Sequence, residues 1–350
     1  MAGSSPAMTP RGQRVLQTWR AARMSSSTPQ STLEQAATYQ AANARRVKKT
    51  RLGQPASILD RAGGSNLIYV LPGLLIYAVF VFVPILAALA VSLTEWNGLG
   101  LPSFVGIENY IQLFADDRFY TALGNNAKFI IFYCVVPLII GVCLAAIITV
   151  LRQRERLVLR TLFFLPYVMP TAVLGIIFQW LYNPAFGPFN QFLKAIGLGK
   201  IALPWLGDFN FVLPAVGAVA TWYFFGFCMV VFLTGMQRID PQLYDAARVD
   251  GAKGWQSFFY ITLPSLLPEI RVVLLLTIIA SIKSFDLIFT MTRGGPGNAT
   301  LVPNIYMYQL GFQLNRYGYA AAVAIIGAIL VFAVNVAIHQ LMRRADRAIH

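Results

Sequence analysis

An all-α membrane protein of six transmembrane helices is the fold class that three features of the sequence predict. The 350 residues have a mean hydropathy of +0.60, with 57% hydrophobic and only 12% charged residues, against about 25% charged in soluble domains. Apolar runs long enough for a hydrocarbon core, which asks for about 20 helical residues, recur six times. Lys and Arg crowd into alternate connecting segments, the pattern of cytoplasmic against external loops.

The runs extend from Leu67 to Leu93, Phe129 to Leu151, Thr161 to Tyr182, Phe211 to Met236, Val272 to Thr292 and Ala320 to Met342. Five carry no charge, and the fifth in order carries Lys283 and Asp286. With the N-terminus inside, segments 1–66, 152–160, 237–271 and 343–350 hold 21 of the 28 Lys and Arg, while the three external loops hold six. Both termini are therefore read as cytoplasmic. The net charge of +14 then reflects topology, and with no basic stripe interleaved with aromatics no nucleic-acid partner is expected. Cys134, Cys143 and Cys228 fall inside spans, so no disulfide framework is implied. His339 and His350 have no ligand cluster around them, and no metal site is expected.

Residues 1–60 are rich in Ser, Thr, Ala, Gln and Arg, with Glu34 and Asp60 the acids. They read as a disordered basic cytoplasmic tail, or as an over-extended start with Met24 the initiator. The absence of an apolar h-region argues against a secretory signal, and the Arg-rich, acid-poor composition also resembles a mitochondrial transit peptide. The cluster Arg45, Arg46, Lys48, Lys49 and Arg51 serves topology and suits contact with anionic lipid. Residues 61–350 form one six-helix membrane domain, with Asn183 to Asn190 suited to a compact external cap.

The loop 237–271 is unusually structured. Asp240-Pro241 starts a helix, Asp capping the free N–H groups and Pro fitting the first turn. Leu243, Ala246, Ala247 and Asp250 follow at helical spacing, Gly251 breaks the run, and an amphipathic segment from Trp255 to Ile261 ends at Leu263-Pro264. The prediction is a short helix, a glycine hinge and a second short helix at the membrane surface. Two readings stand: a docking knob, with small alanines for close approach and Asp245, Arg248 and Asp250 at the rim, or an interfacial helix pair whose Asp245 and Arg248 merely pair at i,i+3.

The order Asp245-Ala246-Ala247, three residues, Gly251, nine residues, Ile261, one residue, Leu263-Pro264 resembles the signature loop of permease subunits of binding-protein-dependent ABC importers. It departs at Asp245, where the family carries Glu. Phe104 to Tyr110, Phe164 to Pro170, Phe285 to Ile288 and Met291 to Pro296 resemble the maltose-type, carbohydrate-uptake branch, and the likeness covers residues 67 to 345. It implies a type I importer permease fold in a bacterial or archaeal cytoplasmic membrane. The loop would fold as a coupling helix entering a groove of a separate ATPase, so that Asp245, Ala246, Ala247, Arg248, Gly251, Ile261, Leu263 and Pro264 become coupling residues. The implied partners are a second homologous permease, an ATPase dimer carrying ATP and Mg, an extracytoplasmic solute-binding protein, a sugar and membrane lipid. The chain itself binds no cofactor and is no enzyme on this reading. The nearest approach to a phosphate-cradling loop, Gly197 to Lys200, is followed by Ile201 where Ser or Thr is needed.

For the substrate path, an intramembrane charge normally faces protein or water. Lys283 lies eleven residues into the fifth run, near the midplane at about 1.5 Å per residue, with Asp286 a turn further on the same face. Either the two form an internal ion pair that supports packing, or Lys283, Ser281, Ser284 and Asp286 line a polar path. In the fourth run Ala220, Tyr223, Phe224 and Phe227 fall at i, i+3, i+4 and i+7, a stripe for helix packing or for sugar faces; the resemblance favours substrate contact there. Rival readings are an importer of another solute such as glycerol phosphate, and an ion-coupled secondary transporter, for which paired inverted repeats are the missing mark. A membrane enzyme lacks any cluster of His, Cys or carboxylates.

Overall fold

The computed structural model describes residues 67–349, with side chains from 70 to 338 and at 340. The tail 1–60, the basic cluster at 45–51, His350 and the His339 side chain lie outside the described residues. The chain divides after Ala78 into two units. The described part of the first is helix α1, Leu67–Tyr77, its side chains from Val70 onward exposed.

The second unit is helical apart from one small antiparallel hairpin, β1 Thr94–Glu95 with β2 Ser103–Phe104. Its helices run α2 Val83–Ser92, α3 Glu108–Phe114, α4 Asp117–Ile130, α5 Val136–Thr149, α6 Gln153–Val168, α7 Thr171–Leu181, α8 Pro188–Ala195 and α9 Val212–Met236. There follow α10 Pro241–Val249, α11 Gly254–Ser257, α12 Leu263–Ser265, α13 Leu267–Ile282, α14 Asp286–Thr292, α15 Pro303–Tyr308 and α16 Tyr317–Ile349. Four stretches are long and apolar enough to cross a membrane, Val70–Ser92, Asp117–Thr149, Val212–Met236 and Tyr317–Ile338, and two bent pairs, α6 with α7 and Gly254–Ser265 with α13, raise the number to six.

Proline explains much of the irregularity. Wide π turns at Ala78–Phe82, Ile131–Val135 and Phe258–Thr262 each stand directly before a Val or Leu and then Pro84, Pro137 or Pro264. Proline lacks an N–H and its ring strikes the carbonyl four residues back; widening the preceding turn removes both conflicts without ending the helix. The expectation that Leu263-Pro264 stops the second loop helix is thus corrected. The helix continues to Ser265 and turns by 66° only at the fully buried Leu266.

Two expected spans are corrected as well. Thr161 to Tyr182 is not one rod: Met169, which precedes Pro170 and is driven to ψ 142, separates α6 from α7 at 95°. Val272 to Thr292 is interrupted too, α13 ending at Lys283 and α14 beginning at Asp286. The second span begins earlier than expected. The polar residues 117–128 are helical because Asp116 caps them, accepting from the Arg118 N–H at 2.9 Å, and because Asn125 and Asn126 find buried carbonyls, the latter that of Ser281 at 3.2 Å. Asp116 also accepts from the hydroxyls of Tyr306 and Tyr319. Burial pushes its carboxyl up, and these bonds with the Arg118 and Phe119 N–H groups outweigh it, holding it below the usual carboxylate value.

Helix α9 is the axis of the packing, its sides covered by α5 and α6. Small residues permit the approach: a Cβ at Gly226 would strike the Phe163 carbonyl, a backbone atom that cannot swing aside. Gly226→Ala should therefore destabilise the bundle by about 1–3 kcal/mol, seen as a lower thermal midpoint of the detergent-solubilised protein. An unchanged midpoint would contradict this packing.

Candidate functional site: a cavity at a helix break and an exposed loop

The break between α13 and α14 places charge without a formal pair. Lys283 is the C-cap of α13 and Asp286 opens α14, so the cation meets the negative end of one helix dipole and the carboxylate the positive end of the next. Of the two readings left open, the Lys283–Asp286 ion pair is not formed; Asp286 accepts from the Thr171 hydroxyl at 3.3 Å. Asn304 closes the break by donating to the carbonyls of Ile282 and Ser284 at 3.2 and 3.4 Å. Irregular backbone at membrane depth survives where protein or a cavity surrounds it, and here a cavity does.

That cavity, about 300 Å³, is lined by aromatic rings and by polar side chains. Tyr167 of α6 stacks on Phe227 of α9, ring centroids 4.9 Å apart at 20°, and lies 5.1 Å from the Tyr223 ring. Tyr133 adds its ring beside Phe224 at 5.4 Å. Lys283, Ser284 and Asp286 line the same cavity. The Ser284 hydroxyl is buried beside the Tyr133 hydroxyl at the edge of this cavity.

Of the eight residues expected along a path, the cavity gathers Tyr223, Phe224, Phe227, Lys283, Ser284 and Asp286. Ala220 and Ser281 are fully buried and do not line it. Ala220 belongs to the packed core, and Ser281 turns its carbonyl to Asn126. Sequence reasoning missed Tyr133, Tyr167 and Thr171, which come from other helices. For the last two a signal existed: each directly follows one of the two prolines, Pro166 and Pro170, that predict an interrupted helix.

The loop has the predicted helix, hinge and helix. Asp240 caps α10 through the Gln242 N–H at 2.9 Å. Gly251, at φ +77, ends it, with its N–H on the Arg248 carbonyl and the Ala252 N–H on the Ala247 carbonyl at 3.1 and 2.9 Å. That paired closure is a Schellman motif, which needs a left-handed residue at this point. The second helix starts where Gln256 accepts from the Lys253 N–H at 2.7 Å, and the Tyr244 and Thr262 hydroxyls, 2.8 Å apart, join the two halves. Asp245 and Arg248 do pair, at 3.1 Å, but both are largely exposed, a contribution of a few tenths of a kcal/mol. No residue of α10 is buried, and Leu243, Val249, Trp255, Phe259 and Tyr260 stand exposed.

Comparison with known proteins follows this geometry. Residues 138–350 match the family described as binding-protein-dependent transport system inner membrane component. The chain is similar to the probable ABC transporter permease protein YurN of Bacillus subtilis, 34% identical over 263 residues covering 75% of this chain and 90% of that one. It is 32% identical over 280 residues to the diacetylchitobiose uptake system permease protein NgcF of Streptomyces coelicolor, covering 75% and 79% of the two chains. Among solved structures, a bacterial ABC transporter involved in the import of the acidic polysaccharide alginate matches with a TM-score of 0.68 at 25% identity, over 79% of this chain and 95% of that one. Since the matched region takes in the loop, the helix break and α9 alike, the chain belongs to the inner membrane component family of binding-protein-dependent transport systems, the membrane-spanning permeases of ABC transporters.

Proposed function

We propose that this permease carries a sugar across the cytoplasmic membrane in an ATP-driven importer, and that the cavity at the α13–α14 break is part of the path. The observation that carries this reading is the cavity's mixed lining: aromatic rings suited to the apolar faces of a sugar, and Lys283, Ser284 and Asp286 suited to its hydroxyls. The relation to a diacetylchitobiose permease supports the substrate class. Both termini lie in the cytoplasm, following the distribution of Lys and Arg.

An ATPase dimer docks on the 237–271 loop and its counterpart in a second permease, with ATP and Mg held on the ATPases and no cofactor on this chain. The exposed apolar residues of α10 and α11–α12 supply the contact, and Asp245 and Arg248 its rim. An extracytoplasmic solute-binding protein delivers the sugar, as the family description implies. Closure of the ATPases shifts the loops, and the cavity alternates between the two sides of the membrane.

A second reading, a phosphorylated or otherwise anionic solute such as glycerol phosphate, is favoured by one observation: Lys283 has no acidic partner among the described ion pairs. Uptake into cells or proteoliposomes carrying Lys283→Met and Lys283→Arg tests both. For a neutral sugar, Lys283→Met lowers uptake by about ten- to a hundredfold through a lost charge-assisted hydrogen bond of about 1.5–3 kcal/mol. For an anion, it abolishes uptake while Lys283→Arg preserves it. Unchanged kinetics in both variants would reduce Lys283 to a helix cap and remove it from the path.

A further inference from the structure

We propose that α6 holds one anionic phospholipid, its acyl chain in a shallow apolar groove and its phosphate between Arg154 and Arg160. The groove, about 220 Å³, lies between Arg160, Thr161, Phe164, Leu165 and Val168 of α6 and Val230 of α9. Every wall is apolar save at Arg160 and Thr161, the end nearer the basic segment 152–160.

Charge accounting in that segment leaves three cations over among the described residues, Arg152, Arg154 and Arg160, and of these Arg154 and Arg160 stand on the side of α6 that carries the groove. Arg156 is committed, donating to the carbonyls of Thr149 and Leu151 that end α5, at 2.6 and 3.4 Å. Glu155, the acid of the segment, accepts from the Arg152 N–H at 3.2 Å. Arg154 and Arg160 are exposed and enter no ion pair among the described residues. At about 100° per residue, the two fall about 120° apart around the helix and flank the stripe of Leu157, Thr161, Phe164 and Val168. Leu165 and Val168 are 58% and 67% exposed.

A guanidinium fork suits phosphate oxygens, and its stem can run along hydrocarbon while the head reaches the interface. A protein partner laid on the same stripe would bury both cations, which is costly unless each meets an acid. A phospholipid brings its own phosphate at headgroup depth and its own hydrocarbon below. The occupant is thus the lipid, and nothing in the argument depends on which solute is transported.

The permease, purified with its partner subunits and stripped of lipid, is titrated with phosphatidylglycerol or phosphatidylcholine of the same acyl chains, with adducts read by native mass spectrometry. The wild type prefers phosphatidylglycerol. The double variant Arg154→Gln, Arg160→Gln loses roughly 30-fold in affinity, each charge contributing about fivefold near an anionic headgroup, and Arg154→Lys, Arg160→Lys retains most of the preference. Equal binding of the two lipids, a preference untouched by the Gln variant, or complete displacement by excess inorganic phosphate would overturn the assignment. Because the readout needs no transport, its failure leaves the sugar-import reading standing.

Discussion

Gly251→Val should cut ATP-driven uptake by roughly tenfold or more, while Gly251→Asn keeps most of it. Nothing lies within 4 Å of a Cβ built at Gly251, so bulk is not the obstacle. The obstacle is φ +77, a left-handed conformation costing an L-residue about 1–2 kcal/mol, least for Asn and most for β-branched side chains. If Val shifts the hinge out of that conformation, the carbonyls of Ala247 and Arg248 lose their closing bonds and α10 no longer presents the same face. Uptake and co-purification of the ATPase are measured together. A Val variant that transports normally would show that the hinge angle does not matter to coupling, and an Asn variant as impaired as Val would show that space, not backbone conformation, is limiting.

Tyr167→Ala should lower the maximal uptake rate by about tenfold, whereas Tyr167→Phe leaves it nearly unchanged. Tyr167 touches Phe227, Tyr223 and Phe224 at once and is the ring that α6 contributes to the cavity. Its removal takes away one stacking surface worth about 0.5–1.5 kcal/mol beyond burial and loosens the rings it holds. Rates at saturating solute and binding protein isolate the translocation step. If Tyr167→Ala transports like the wild type, the aromatic rings only pack helices. If Tyr167→Phe fails equally, the hydroxyl rather than the ring is the working group.

The features most legible in the sequence were those written in local pattern. Six apolar segments, the Asp240-Pro241 start, the Gly251 stop and the aromatic face of α9 all follow from spacing and backbone preference. The break after Lys283 was not legible, because apolar periodicity runs through it and nothing local marks a C-cap there; Asn304, far along the chain, is what satisfies the freed carbonyls. Ala220 lies in the packed core and not on the cavity, because a stripe at helical spacing is wide and only packing decides which edge faces a cavity. Tyr133 and Tyr167 entered from α4–α5 and α6, an assembly no single periodicity encodes. The polar half of α4 looked like loop because its Asn125 and Asn126 are satisfied only by distant carbonyls.

Helix α13 runs from the exposed loop to the cavity. Its sixteen residues make a rod about 24 Å long, pinned at Leu266 and carrying Lys283 at the other tip. A rod pinned at one end is a lever: a tilt of about 5° about Leu266 sweeps Lys283 through about 2 Å, enough to make or break a hydrogen bond to a solute. A stroke delivered at the loop therefore needs no large rearrangement of the bundle to change the grip on whatever occupies the cavity.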